Sequence, residues 1–204
     1  MQNIFKSLQQ KTAEMKALLE KEIEDGKKKF SYAVSRKKVR FQPEAVESQK
    51  KQRIGVVRYI FRARILAILT VPVIYSLLIP MVLLDLLATL YQRLCFPVYG
   101  IPRVKRSDHV IIDRQYLAYL NLIEKINCVY CGYGNGVLAY VGEIAARTEY
   151  FWCPVKHAKV PKKPHEFYHD FLEYGDAENY PEGLQNMREK CRACKETGED
   201  VCKK

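Results

Sequence analysis

The hydropathy pattern is dominated by a run of 20 uncharged residues, 65–84, with basic side chains on both flanks. At about 1.5 Å per helical residue, this run covers about 30 Å, the thickness of the hydrocarbon core of a bilayer. Pro72 and Pro80 interrupt the run, and Asp85 separates it from a second short apolar piece, 86–91. The pattern therefore predicts a membrane-inserted helical segment.

Two topologies are open for this segment. One is a single tilted span that the prolines kink. The other is a re-entrant helical hairpin that bends near Pro80, with two helices of roughly 14 residues and about 21 Å each. Six Lys/Arg lie in 50–64 and four in 93–106, so the positive-inside rule gives no clear orientation. We favour the hairpin. In either topology Asp85 lies near the membrane surface, where a capping or snorkelling acid is expected rather than a proton relay.

The remaining pattern predicts a mainly α protein. Apolar residues near helical spacing predict an amphipathic helix over 3–25 that ends at Gly26, and residues 27–52 are a polar linker. Residues 54–64 alternate apolar and Arg positions, which is typical of an interfacial helix. Further on we expect a helix over 114–126 capped by Asp113, a tight glycine-rich turn over 128–136, and helices over 137–150, 164–174 and 181–195. These elements define four segments: 1–53, 54–96, 97–160 and 161–204.

Charge placement limits the partners of the chain. The formal net charge is +11, and residues 1–64 contain 17 Lys/Arg against 7 Asp/Glu, whereas 97–204 are nearly balanced. A nucleic-acid-binding protein usually has its basic residues on a folded domain with stacking aromatics. Here they precede the apolar run, so we expect a lipid bilayer with anionic headgroups as partner and no nucleic acid.

The cysteine pattern indicates a metal site. Cys128 and Cys131 form a C-x-x-C pair, and Cys153 is followed by His157. Together they make a Cys₃His set suited to tetrahedral zinc, held across a helical hairpin in a small metal-binding domain. The alternative interpretation is two buried thiols in a small core and a surface histidine.

Two resemblances accompany this pattern. The sequence from Cys128 to Tyr133, CVYCGY, resembles the first iron-binding knuckle of rubredoxin, and Cys153-Pro154 resembles the start of the second, but Lys156 stands where the fourth cysteine would be. A histidine ligand in its place would favour zinc over iron. Residues 127–157 are similar to those of uncharacterised small bacterial membrane-associated proteins. This resemblance implies a bacterial inner-membrane location but does not imply any particular activity.

Two further groups contain residues with metal-binding chemistry. Cys191, Cys194 and Cys202 form a second metal site, contribute to a Cys₄ zinc ribbon, or are exposed tail thiols. The sequence His165-Glu166-Phe-Tyr-His169 matches the H-E-x-x-H motif of zinc peptidases. The short polar segment around it is too small to form a substrate cleft, so two ordinary surface histidines are the alternative.

These observations favour a non-enzymatic function. We expect a membrane-anchored accessory or scaffold protein that binds zinc and presents its metal-binding domain, on the cytoplasmic side, to another membrane protein. The alternative is a redox carrier that uses iron or the Cys128/Cys131 thiols, and a zinc peptidase comes third. The sequence contains neither a phosphate-binding P-loop nor a G-x-S-x-G elbow, so nucleotide hydrolysis and serine hydrolysis have no motif to support them.

Overall fold

The computed structural model describes residues 2–35 and 38–197 and is mainly helical, which confirms the predicted fold class at that level. In chain order the elements are α1 (Gln2–Lys29), β1 (Tyr32–Ser35), β2 (Lys38–Phe41), α2 (Pro43–Lys51), α3 (Val56–Arg62), α4 (Ile65–Ser76), α5 (Leu78–Tyr99), α6 (Arg106–His109), a 3₁₀ turn (Arg114–Tyr116), α7 (Leu122–Trp152), a 3₁₀ helix (Glu166–Asp170) and α8 (Tyr180–Thr197). They form two compact units, Met1–Ala63 with Asp113–Val129, and Arg64–Ile112 with Tyr130–Lys204.

The first unit contains more regular structure than its polar sequence predicts. Helix α1 continues past Gly26 to Lys29. The segment predicted as a linker instead forms an antiparallel pair, β1 with β2, in which Tyr32 faces Phe41 and their rings lie 5.6 Å apart. Helix α2 follows, and its Gln49 side chain accepts a hydrogen bond from the Ala118 amide at 3.0 Å. Local pairing of β-branched and aromatic residues therefore organises this segment.

The apolar run forms an extended helix and no hairpin. The only residue between α4 and α5 is Leu77, and its φ of −65° and ψ of −15° are right-handed helical values. Pro80 lies in the first turn of α5, where a missing N–H costs little, and the helix continues through it to Tyr99. The predicted re-entrant bend near Pro80 is therefore wrong, because the backbone that would have to reverse direction stays helical.

In the second unit, helices α5 and α7 run in the same direction, and residues 100–112, which we call the return segment, run antiparallel to both. Contacts between α5 and α7 advance together along the two helices, from Met81 with Gly134 to Tyr99 with Phe151. The return segment begins at Gly100, whose φ of 77° is the left-handed C-cap conformation that glycine adopts without strain. Any Cβ there would also lie 2.8 Å from Arg192 Cγ of α8.

Helix α7 replaces three predicted elements. It is continuous over 31 residues, so the turn predicted at 128–136 is wrong, and the helix predicted over 137–150 is its second half. Its N-terminus is capped by Asn121 rather than through Asp113: Asn121 Oδ1 accepts from the Glu124 amide at 3.0 Å, and Glu124 Oε2 accepts from the Asn121 amide at 2.9 Å. This reciprocal capping box satisfies two donors that a helix start leaves open.

The core of the second unit lies where α5, α7 and the C-terminal part of the chain meet. Residues 154–164 form a loop, and one parallel bridge between Val155 and Leu172 holds this loop to the following segment. The predicted helix over 164–174 is reduced to a five-residue 3₁₀ helix, whereas α8 agrees with the predicted 181–195 within two residues at each end. The most deeply buried apolar side chains are Phe96, Ile101, Val137, Tyr140, Phe167 and Cys191.

Candidate functional site

The most prominent surface of the second unit is the apolar helix that α4 and the start of α5 form. Helices α4 and α5 together, Ile65–Tyr99, form one continuous helical segment. Among the described residues it is the one segment that is long and apolar enough to cross a membrane. No residue of α4 is buried, and the first buried residue of α5 is Asp85. Residues 65–84 therefore expose their aliphatic side chains around the helix, which is the arrangement that a surrounding bilayer stabilises.

Beyond residue 84, α5 has two unlike faces. The face that packs into the unit contains Asp85, Ala88, Gln92 and Phe96, at spacings of three and four residues. The opposite face carries Leu83, Leu87, Leu90 and Leu94, which are 53–63% exposed. A helix of a water-soluble domain normally buries its leucines and exposes its carboxylate and amide groups. In α5 this distribution is reversed.

The buried carboxylate has specific partners. Arg106 donates to Asp85 from Nη2 at 2.7 Å and from Nε at 3.0 and 3.2 Å to its two oxygens. Tyr133 of α7 donates its hydroxyl to the same carboxylate at 3.0 Å. These hydrogen bonds raise the pKa of the Arg106 guanidinium, and burial with the bond to Asp85 raises the pKa of the Tyr133 hydroxyl. Asp85 thus fastens the return segment and α7 to α5, which agrees with a structural rather than a proton-relay role.

A buried amide makes a second connection. Gln92 accepts from the Val104 amide at 3.0 Å, donates to the Val104 carbonyl at 3.3 Å and donates to the Tyr140 hydroxyl. Thr89 lies 3.2 Å from the same hydroxyl. One side chain therefore satisfies both backbone groups of a residue in the irregular return segment, which would otherwise be buried without partners.

The glycines of α7 permit close packing of backbone. A Cβ on Gly136 would lie 2.7 Å from Val110 Cα and 2.9 Å from the His109 carbonyl oxygen, and one on Gly132 would lie 3.3 Å from the Ile111 carbonyl oxygen. These glycines therefore allow α7 to pack closely against the backbone of residues 109–111. They do not form the tight turn that the sequence predicted. Glycines four residues apart in an apolar helix are a known signal for such close approach.

The structure does not bring the predicted Cys₃His residues together. Cys128 and Cys131 lie one turn apart within α7, whereas Cys153 follows the end of that helix. The 22 positions from Cys131 to Cys153 correspond to about 33 Å of helix, so these thiolates cannot share one ion. His157 is also at the far end, where its ring stacks on Tyr168 at 5.8 Å. Across residues 2–35 and 38–197, no three His, Cys, Asp or Glu side chains form a metal-binding group.

The H-E-x-x-H residues have other roles. His165 precedes the 3₁₀ helix, and its Nε2 lies 3.1 Å from Glu149 Oε2 on α7. With about three residues per 3₁₀ turn, His165 and His169 do not share a face as they would on an α-helix. The rings of Phe167 and Phe171 lie 5.6 and 5.1 Å from His165, and its buried Nδ1 has no hydrogen-bond partner among the described residues. His165 therefore connects the loop to α7.

The C-terminal cysteines divide between core and surface. Cys191 is buried on α8, and burial raises the pKa of its thiol to about 11. Cys194 lies one turn further on and is half-buried, and both thiols are free. Cys202, the third member of the predicted second site, lies outside the described residues. Cys191 is therefore not the exposed tail thiol that the sequence left open as an alternative, because it packs as a small apolar residue of the core.

Comparisons with known proteins add no relative: no family model, no curated protein and no solved structure matches this chain. Zinc, with iron as the alternative, stays a prediction from the sequence that the described residues do not support. The site that sequence reasoning missed is the polar face of α5. Its signal was present in the three- and four-residue spacing of Asp85, Ala88 and Gln92 within a leucine-rich helix.

Proposed function

We propose that this chain is a membrane-anchored, non-enzymatic accessory protein that holds the helical domain formed by residues 85–112 and 130–197 next to the bilayer. The anchor is the segment 65–84. The observation that supports this most strongly is an uncharged helical segment of about 30 Å in which no residue is buried, and which water would solvate poorly and hydrocarbon would solvate well.

The polar interior of the domain supports an accessory role. Asp85, Gln92 and His165 each bind another segment of the same domain. Their hydrogen-bonding capacity stabilises the fold. A domain held together in this way suits the binding and positioning of another membrane protein, which is the partner that we propose.

The anchor is tested with arginine substitutions in the segment, and an equally exposed valine in a loop serves as the control site. Val73 lies near the middle of the segment and is 68% exposed, and Val160 lies in the loop after α7 and is 67% exposed. In water, arginine at either position is expected to change stability by less than about 0.5 kcal/mol. At a bilayer centre each arginine costs about 3 kcal/mol on the insertion scale.

The double variant Leu69→Arg/Val73→Arg should therefore leave the membrane fraction, or fail to accumulate, whereas Val160→Arg should stay with the wild type. The measurement is the distribution of the full chain between pellet and supernatant after alkaline carbonate extraction. Release of the wild-type chain by carbonate, or full retention of the double variant, would refute the anchor.

The side of the membrane is proposed from the thiols. All six cysteines among the described residues are free, and Cys131 and Cys153 are exposed. Exposed thiols persist in reducing compartments and oxidise in others, so we place the domain on the cytoplasmic face of the inner membrane. A membrane-impermeant maleimide should label Cys153 in lysed but not in intact bacterial cells. Equal labelling in both would place the domain outside.

A further inference from the structure

An open cavity of about 550 Å³ lies beside α5, directly after the uncharged segment ends. Two guanidinium groups, a carboxylate, a hydroxyl and two aliphatic side chains line it: Asp85, Leu86, Thr89, Leu90, Arg93 and Arg106. Those of α5 follow one another at spacings of three and four residues, so they share one side of the helix. Arg106 closes the cavity from the return segment. A cavity of this volume accommodates a small molecule or the polar end of a larger one.

The charges in this cavity do not balance. The carboxylate of Asp85 pairs with Nε and Nη2 of Arg106, so these two charges offset each other. Nη1 of Arg106 takes no part in that pair, and the Arg106 side chain remains 44% exposed. Arg93 is exposed and makes no ion pair or hydrogen bond within the described part of the chain. The cavity therefore has a net charge of +1 and free guanidinium donors, which is the chemistry that binds a phosphate group.

The depth of the cavity indicates which phosphate it meets. With 65–84 spanning the hydrocarbon core, the headgroup layer extends about 5–8 Å further on each side. At about 1.5 Å per residue, Thr89 in the middle of the lining lies about 7.5 Å beyond residue 84. Side chains of a helix tilt towards its N-terminus, so that of Arg93 leans back towards the bilayer. The cavity therefore lies at the level of the lipid phosphates.

From this geometry, and resting on the membrane anchor of the proposed function, we infer that the cavity binds the phosphodiester group of an anionic phospholipid, with Arg93 and Arg106 as its donors. One phosphodiester carries a single negative charge and neutralises the cavity. Leu86 and Leu90 form the apolar wall that the glycerol and the first acyl carbons contact. A phosphocholine headgroup brings an additional cation, for which the cavity has no free carboxylate because Asp85 is already paired. Inorganic phosphate shares the charge but makes no use of the apolar wall.

The test is native mass spectrometry of the full chain in a neutral detergent, incubated with phosphatidylglycerol, phosphatidylcholine and inorganic phosphate together. Each ligand has its own mass, so the adduct identifies what is bound. We expect the wild-type chain to retain phosphatidylglycerol at about tenfold higher occupancy than phosphatidylcholine, because only the first matches the charge of the cavity. Equal occupancy by the two lipids, or phosphate bound in place of phosphatidylglycerol, would overturn the inference.

A matched pair of arginine variants locates the lipid. Arg93→Gln should lower the phosphatidylglycerol occupancy by about tenfold or more, because it removes a charged donor. Arg103→Gln should leave the occupancy unchanged, because this equally charged and exposed residue of the return segment does not line the cavity. Wild-type occupancy in Arg93→Gln, or an equal loss in both variants, would overturn the inference. Carbonate release of the wild-type chain would refute the anchor, whereas the lipid site is decided by the mass of the adduct in detergent, so the two failures are distinguishable.

Discussion

The close packing of α7 against the return segment makes a quantitative prediction about its glycines. Gly136 and Gly142 lie on the same helix, but a Cβ on Gly136 would meet main-chain atoms at 2.7 and 2.9 Å, whereas one on Gly142 would meet nothing within 4 Å. Alanine gains about 1 kcal/mol over glycine in a helix interior at either position. The difference between Gly136→Ala and Gly142→Ala therefore isolates the cost of the contact.

That cost follows from the distances. Carbon atoms in favourable contact lie about 3.5–4.0 Å apart, so a Cβ at 2.7 Å from Val110 Cα overlaps it by about 1 Å. The opposing atoms belong to backbone, which cannot rotate away as the end of a side chain can. Overpacking of this kind costs about 1–3 kcal/mol. We therefore expect Gly142→Ala to stabilise the protein, and Gly136→Ala to be less stable than Gly142→Ala by about 1–3 kcal/mol.

The assay is thermal unfolding of both variants and the wild type in one detergent and at one scan rate, followed by far-UV circular dichroism. For a chain of this size, 1 kcal/mol corresponds to about 2–4 °C, so the two Tm values should differ by about 2–12 °C. Gly134→Ala is expected between them, because the atom that its Cβ would meet at 3.0 Å is the Met81 Sδ, in a flexible side chain. A Gly136→Ala variant as stable as Gly142→Ala would refute the close approach of the return segment.

The other predictions concern buried polar groups. Asp85→Asn should lower the free energy of unfolding by about 1–3 kcal/mol, because it removes a charge-assisted pair with Arg106. Chemical denaturation measures this change, and an unchanged denaturation midpoint would contradict the stabilising role of the pair. Cys191 has a pKa of about 11 in the folded protein against 9.0 for a free thiol. Its neutral form therefore stabilises the fold fully below pH 9, and this contribution is lost as the pH rises through 11. The stability difference between wild type and Cys191→Ala should shrink over that window, and a constant difference would contradict the burial of the thiol.

The parts that sequence reasoning anticipated are those that local pattern determines. The apolar run and the helix predicted over 181–195, which is α8 in the structure, both depend on residues close in sequence. Asn121 was missed as a cap, although Asn121-Leu-Ile-Glu124 before an apolar stretch is itself a capping-box signature.

The turn predicted at 128–136 was wrong for a physical reason that lies outside the local sequence. Three alternating glycines lower helix propensity by about 1 kcal/mol each, and taken alone they favour a turn. The loss is offset because Gly132 and Gly136 admit the backbone of residues 109–111, which is distant in sequence. Once α7 is continuous, the cysteines at its two ends separate, and the candidate metal site separates with them.

The two faces of α5 connect the fold to the proposed function. Both periodicities are visible in the sequence, but a pattern does not state which face is buried. Complete burial of a leucine side chain contributes about 1.5–3 kcal/mol to the free energy of unfolding. The four leucines on the exposed face of α5 remain just over half exposed, so in water the protein would lack about 3–6 kcal/mol of this stabilisation. A domain has only about 5–15 kcal/mol of net stability. The chain instead buries Asp85 and Gln92, which bind the return segment, and this arrangement is favourable when the leucine face meets lipid rather than water.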